Sequence, residues 1–278
     1  MAIERDTAGL LTMAKTAVAN APLLGPDDPD PVGVRNGAAR SPFLLICDHA
    51  GNAVPASLDR LGLARADLER HIGIDIGILP VSERISDLIG APLVYQRYSR
   101  LVVDCNRKRT APDLIAPISD GTAVPGNIGV GEAERDRRIR EIAEPYHREV
   151  SARIAGSGSD GFGVFISMHS FTPSLRSKPF ARPWHVGLCY GRNDAFSRCV
   201  LAVLDGELNL VVGCNQPYGV DVETDYSVPI YGEERGHPYV EFEIRQDLIA
   251  EAAGQQQWAR RIVEVLRKAH ALFERGGP

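Results

Sequence analysis

The five cysteines contain no Cys-x-x-Cys pair and are odd in number, which argues against a thiolate zinc site and against a fully paired disulfide framework. Cys47, Cys105, Cys189, Cys199 and Cys214 therefore read as small buried hydrophobes of a reducing compartment. No apolar run approaches the length that spans a bilayer, and Met1 to Asp6 has no positive segment leading into an apolar core. A basic face is lacking as well. With a formal net charge of −5 and its Lys and Arg residues scattered, the chain offers no field for a phosphate backbone. Nucleic acid and membrane are discounted as partners, and a cytoplasmic location is expected. No internal repeat is present.

What is there is an ordinary globular composition: 278 residues, 44% hydrophobic and 24% charged, enough to bury one sizeable core. Residues 1 to 40 read as an N-terminal arm, with a short helix over 6 to 20 and a Pro/Gly/Asp-rich stretch after it. The organised domain is expected over 41 to 278. Within it, strands are expected at 43–48, 93–97, 101–105, 163–168, 185–190, 210–214 and 238–244. Helices are expected near 75–89, 132–155, 193–206 and 254–274, with a kink at Pro145. This rhythm predicts an α/β single domain with a mixed, mostly parallel sheet flanked by helices. Gly156 to Gly161 reads as a flexible connector, and the loops 106–130 and 215–237 as roofs over the crevice at the strand ends.

The most informative residues end two of these strands. Asp48-His49-Ala50-Gly51-Asn52 follows the apolar run 43–47, and His169-Ser170 follows the run 163–168. If the two strands are neighbours, both imidazoles reach one carboxyl-end crevice, where open α/β sheets bind ligands. A hydrolytic metal site needs three protein ligands and an open position, and Asp75, between isoleucines and glycines, is the candidate third. A helix N-cap is the competing reading of Asp75; a hydrogen-bonded core residue is that of either histidine alone. His71 and Asp75 also form an i, i+4 pair, weakened by Gly73.

Tyr239-Val240-Glu241-Phe242-Glu243-Ile244-Arg245 offers two acids on one face of a strand, with Glu243 nearer the crevice end and Glu241 the alternative base. A solvent-facing edge strand is the plainer interpretation. Arg100 and Arg107, in the run Tyr98 to Arg107, are anchors for a substrate carboxylate, with Asp104 or Asn106 to hold their forks; ordinary surface ion pairs are the alternative.

Together, His49-Ala50-Gly51, Asp75, the Ser-Arg-x-x-x-Asp-x-Asn-Arg stretch from Ser99 to Arg107, His169-Ser170 and Glu243 to Arg245 resemble the N-formylglutamate amidohydrolase family over residues 43 to 250. The resemblance implies a phosphorylase/hydrolase-like fold, similar to zinc exopeptidases and cell-wall amidases, with residues 41 to 278 as the catalytic domain. It implies that His49, Asp75 and His169 bind zinc or another divalent metal, and that Glu243 acts as base and then acid. Arg100, Asn106, Arg107 and Arg245 would bind the substrate, a small acidic N-acyl amino acid. The family's named reaction releases formate and glutamate from N-formyl-L-glutamate in histidine degradation. Two departures stand out. Ser167 occupies the position where many relatives carry an Asp two residues before the second histidine, and the stretches 172–193 and 215–237 diverge. Two rival readings remain at this stage: a Cys47-dependent amidase, and a carboxylate-binding or regulatory protein without catalysis.

Overall fold

The computed structural model describes residues 21–156 and 163–277. The helix expected over 6 to 20 lies outside them, as does the connector after Gly156. Strands β1 (Val32–Arg35), β2 (Phe43–Cys47), β3 (Leu93–Gln96), β6 (Val164–Phe171), β7 (Val186–Cys189), β8 (Val212–Cys214) and β9 (Tyr239–Arg245) form one sheet in the order β1-β3-β2-β6-β9-β7-β8. β4 (Ile118–Ser119) and β5 (Thr122–Ala123) make a separate small hairpin. The central strands β3, β2, β6 and β9 run parallel, while β1 and β7 join antiparallel and β8 is parallel to β7. This is the mixed, mostly parallel α/β sheet expected from the sequence.

β2 and β6 are buried along their whole lengths, and β9 along all but Arg245, as parallel strands covered on both faces must be. β9 is thus a central strand and no solvent-facing edge. Alternation divides the side chains between two cores. Cys47, Ile166, Met168 and Phe242 enter the core under helices α2 (Ile78–Ile89), α5 (Ala195–Leu204) and α6 (Ala252–Phe273). Ile46, Phe165 and Tyr239 enter the core under the long helix of residues 132–156. α6 buries Ile262, Leu266 and Ala269 at helical spacing. Each buried Leu or Ile contributes about 1.5–3 kcal/mol of burial free energy. None of the described helices is long and apolar enough to cross a membrane.

Three expectations are corrected. Residues 101–105 are not a strand: turns close from Val102 N–H to Ser99 O and from Arg107 N–H to Asp104 O. Their side chains are buried all the same, so an apolar run here marks core without marking sheet. The place beside β3 is taken by β1, a strand contributed by the stretch read as irregular. The long helix consists of α3 (Glu132–Arg138), a π-helical turn at Ile139–Ala143 and α4 (Glu144–Gly156). Its irregularity lies upstream of Pro145, where Glu144 N–H reaches back five residues to Ile139 O; Pro145 has no N–H with which to continue the regular ladder. A single turn, α1 (Arg65–Leu68), precedes α2.

α2 begins at Ile78, three residues after Asp75. Gly77, at φ 78°, precedes it in the left-handed conformation, and a Cβ there would lie 2.1 Å from Ile249 O. Gly51 has an equally firm reason: a Cβ would sit 2.0 Å from Arg97 O. Gly51 thus admits the close approach of the Arg97 carbonyl beside His49, and Gly77 the left-handed turn beside Asp75.

Candidate metal centre

β2 and β6 are adjacent and parallel, so the turn after β2 and the end of β6 meet on one side of the sheet. The ring centroids of His49 and His169 are 4.9 Å apart. Asp75 is drawn in by its N–H, which donates to His49 O at 3.1 Å, and by Ser170 N–H, which donates to its Oδ2 at 3.2 Å. Asp75 Oδ2 lies 3.0 Å from His169 Nδ1 and 3.5 Å from His49 Nδ1. All three side chains are buried, and their ligating atoms lie within 4.8 Å of one another. Bonds of about 2.0–2.2 Å to one tetrahedral ion place ligand atoms about 3.5 Å apart. The trio is therefore able to hold a metal ion.

The opposite edge of each imidazole meets a carboxylate. His49 Nε2 lies 2.8 Å from Asp104 Oδ1, and His169 Nε2 lies 3.4 Å from Asp48 Oδ2. Such pairing fixes the ring and leaves Nδ1 to face a metal. Asp48 stands where sequence showed a departure: with Ser167 on β6, the carboxylate beside His169 comes from the end of β2 instead. Ser227 Oγ donates to Asp48 Oδ1 at 2.9 Å. Asp104 also binds Arg100, whose Nε and Nη2 reach Asp104 Oδ2 at 3.0 and 2.7 Å.

The electrostatics favour a cation. Asp48, Asp75, Asp104, Glu241 and Glu243 are all buried around two imidazoles and one guanidinium. Burial opposes ionisation of Asp104, yet Arg100 and His49 hold it well below the usual carboxylate range. Burial likewise opposes charge on His169, but Asp48, Asp75 and Glu241 raise it well above an ordinary imidazole. His49 Nδ1 and Glu243 Oε2 are buried and make no hydrogen bond among the described residues, and His169 Nε2 meets Asp48 Oδ2 only as an ion pair at 3.4 Å. Unsatisfied polar atoms converging on a surplus of negative charge fit a metal ion far better than a dry core.

β9 lies next to β6 with Glu243 opposite His169 and Glu241 opposite Ser167, so both acids share the face that carries the histidine. Burial, with Asp75 and Glu241 close by, pushes Glu243 up to about 8 against the pull of His169. Glu241 is raised too, chiefly by burial. The trio and both glutamates line one cleft of about 460 Å³. The loops 106–130 and 215–237 both contribute to its walls, with Thr172 and Ser177 from a third segment.

The family model for N-formylglutamate amidohydrolase matches residues 41–250 of this chain. The chain belongs to the N-formylglutamate amidohydrolase family. Among solved structures, that of a gene product from Agrobacterium tumefaciens is 34% identical, with a TM-score of 0.86 over 91% of this chain and 99% of the other. The N-formylglutamate amidohydrolase of Ralstonia eutropha JMP134 shares the fold at 19% identity and a TM-score of 0.57, over 88% of this chain and 99% of that one. No curated protein matches the sequence.

In this amidohydrolase the other residues singled out by sequence divide sharply. Arg100, Asn106 and Arg107 border the cleft. Arg107 is paired with both Asp113 and Asp225, and Asn106 gives its N–H to Asp104 Oδ1 and accepts from Ser227 N–H. Arg245, expected beside the substrate, is not among the cleft residues: at the last position of β9 it binds Asp247 and the carbonyls of 182–184 instead. Asp75 is no helix cap; Gly77 occupies that position. His71 pairs with Asp120 at 3.1 Å and stays outside the metal trio. The Cys47 amidase does not fit the fold. Cys47 points into the closed core across the sheet from His169, and burial pushes its thiol far up, away from the nucleophilic thiolate. Sequence reasoning missed Asp48 as a partner of His169, and missed Tyr218 of the cleft altogether; neither carries a local signal of its role.

Proposed function

We propose that this amidohydrolase is metal-dependent and cleaves the amide bond of a small N-acyl acidic amino acid such as N-formyl-L-glutamate. The observation that carries this reading is the convergence of His49, Asp75 and His169 on one point beside Glu243. His49, Asp75 and His169 would hold zinc, the metal suited to two imidazoles and one carboxylate, although other divalent metals accept such ligands. Zinc bound there would supply a Lewis acid for the amide carbonyl and lower the pKa of a coordinated water. Glu243 takes the proton of the attacking water and returns it to the departing amine nitrogen as the C–N bond breaks. A carboxyl poised near neutrality suits both transfers. Asp104 and Asp48 keep the imidazoles aimed, and Arg100 and Arg107 border the cleft, each paired with acids of this chain.

The test is metal analysis of the purified protein followed by rates on N-formyl, N-acetyl and N-succinyl amino acids. One equivalent of zinc or another divalent metal, chelator-sensitive hydrolysis and a preference for acidic side chains are expected. Full turnover after complete metal removal, or no hydrolysis of any member of the panel by metal-loaded protein, overturns the reading. Tight binding of glutamate-like ligands without turnover is the signature of the non-catalytic alternative.

A further inference from the structure

The arginines assigned to substrate binding from sequence are already neutralised by this chain. Arg100 is held by Asp104, Arg107 by Asp113 and Asp225, and Arg245 by Asp247. A substrate carboxylate at any of them competes with a built-in acid. Arg182 is different. It is only 5% exposed, and among the described residues no carboxylate lies within salt-bridge distance of it. Its Nη1 donates to Tyr218 Oη at 2.8 Å and, at 3.4 Å, to Thr172 O. Its Nε makes no hydrogen bond among the described residues, and the guanidinium carbon stands 4.9 Å from the centre of the Tyr218 ring and 6.0 Å from that of Phe180. A buried cation without a counter-charge is costly.

Tyr218 links that guanidinium to the cleft. It lines the cavity together with Glu243, Thr172 and His71 and is 42% exposed. Because Arg182 donates into the phenol oxygen, the phenol proton is left to be given elsewhere. Burial and the nearby Glu243 raise the phenol's pKa although Arg182 and Arg100 pull it down, so at neutral pH Tyr218 is a donor. A hydroxyl donor backed by a buried guanidinium is complementary to an anion.

We propose that Tyr218, positioned and polarised by the buried Arg182, binds one carboxylate of the substrate and thereby selects anionic over neutral N-acyl amino acids. This deepens the amidohydrolase reading and rests on it. Tyr218 touches the substrate; Arg182 is a positioning residue that acts through it. The incoming carboxylate supplies the counter-charge that Arg182 lacks.

The experiment compares metal-loaded wild type, Tyr218→Phe, Arg182→Met and Arg182→Lys on N-formyl-L-glutamate and its two monoamides, one blocked at the α-carboxyl and the other at the side chain. Calorimetric binding of L-glutamate and metal content are measured on the same samples. In wild type, one monoamide is expected to be the poorer substrate, identifying the carboxylate concerned. Tyr218→Phe and Arg182→Met then raise KM for the diacid about tenfold or more, leave that monoamide within about twofold, keep the metal and loosen glutamate similarly. Arg182→Lys restores part of the loss. Equal losses on all three substrates, or glutamate binding unchanged in Tyr218→Phe, overturn the proposal while leaving the amidohydrolase reading intact. A wild type that hydrolyses none of the three, nor any N-acetyl or N-succinyl amino acid, fails the broader reading instead. In that case glutamate binding that is absent in wild type, or the same in Tyr218→Phe, overturns the Tyr218 proposal as well.

Discussion

β2, β6 and β9 send neighbouring side chains into two very different surroundings. On the side of α2, α5 and α6, Cys47, Met168 and Phe242 pack among aliphatic and aromatic groups. Across the sheet, Ser167, His169, Glu241 and Glu243 from the same strands are just as buried, yet they are polar, crowded with like charge and left with unpaired atoms. Equal burial therefore does not mean equal stability. The first side gains free energy by excluding water, whereas the second gives some up, which a protein tolerates where a ligand or metal completes the set.

Substitutions sharpen this contrast in a definite order. The largest effect is expected from His169→Ala or His49→Ala: loss of the bound metal and a fall in kcat/KM of about 10³-fold or more, checked by metal analysis and initial rates. A variant of either histidine with full metal and full turnover would collapse the distinction between the two faces. Glu243→Gln comes next, retaining metal but losing about 10²–10⁴ in kcat. Its pH profile is a further check. The base must be ionised, so kcat/KM rises with pH and levels off above the Glu243 pKa. Burial pushes that pKa up to about 8, and a dication bound beside it would lower it. Removal of this acid limb in Glu243→Gln is the expected result.

Smaller losses should follow when the carboxylates behind the histidines are altered. Asp48→Asn and Asp104→Asn are each expected to weaken metal affinity or activity about 10–100-fold, read by competition with a chromogenic chelator. Asp48→Asn tests in particular whether β2 supplies what Ser167 on β6 does not. The smallest effect on catalysis is expected on the closed face. Cys47→Ala should cost roughly 1 kcal/mol in denaturant unfolding and leave kcat/KM within about twofold. Inactivation of the native protein through alkylation of Cys47 would reverse the assignment of faces.

Some parts of the molecule were legible because their signals are local. The periodicity of Trp258, Ile262, Val265 and Leu266 marks α6, and the apolar runs ending on His49 and His169 mark β2 and β6. The two histidines were readable as a pair because both lie near the carboxyl ends of their strands, His49 just past β2 and His169 within the last three residues of β6; Asp75 stands on no strand and joins them only through the tertiary fold. Residues 101–105 misled because turns and strands bury apolar side chains alike. β1 escaped notice because a four-residue edge strand holding Gly33 leaves little pattern.

The sequence by itself determined the alternation that gives each strand two faces, the helical stripes that cover them and the residue types able to bind a metal. Only the tertiary structure decided that β9 lies beside β6, that Asp48 backs a histidine 121 positions away, and that Arg245 leaves the cleft while the buried Arg182 stands behind Tyr218. Side-chain direction follows from neighbouring backbone dihedrals, which a short segment fixes. Pairing among distant charges depends on strand order and loop paths, which form only when the whole chain closes around its cores.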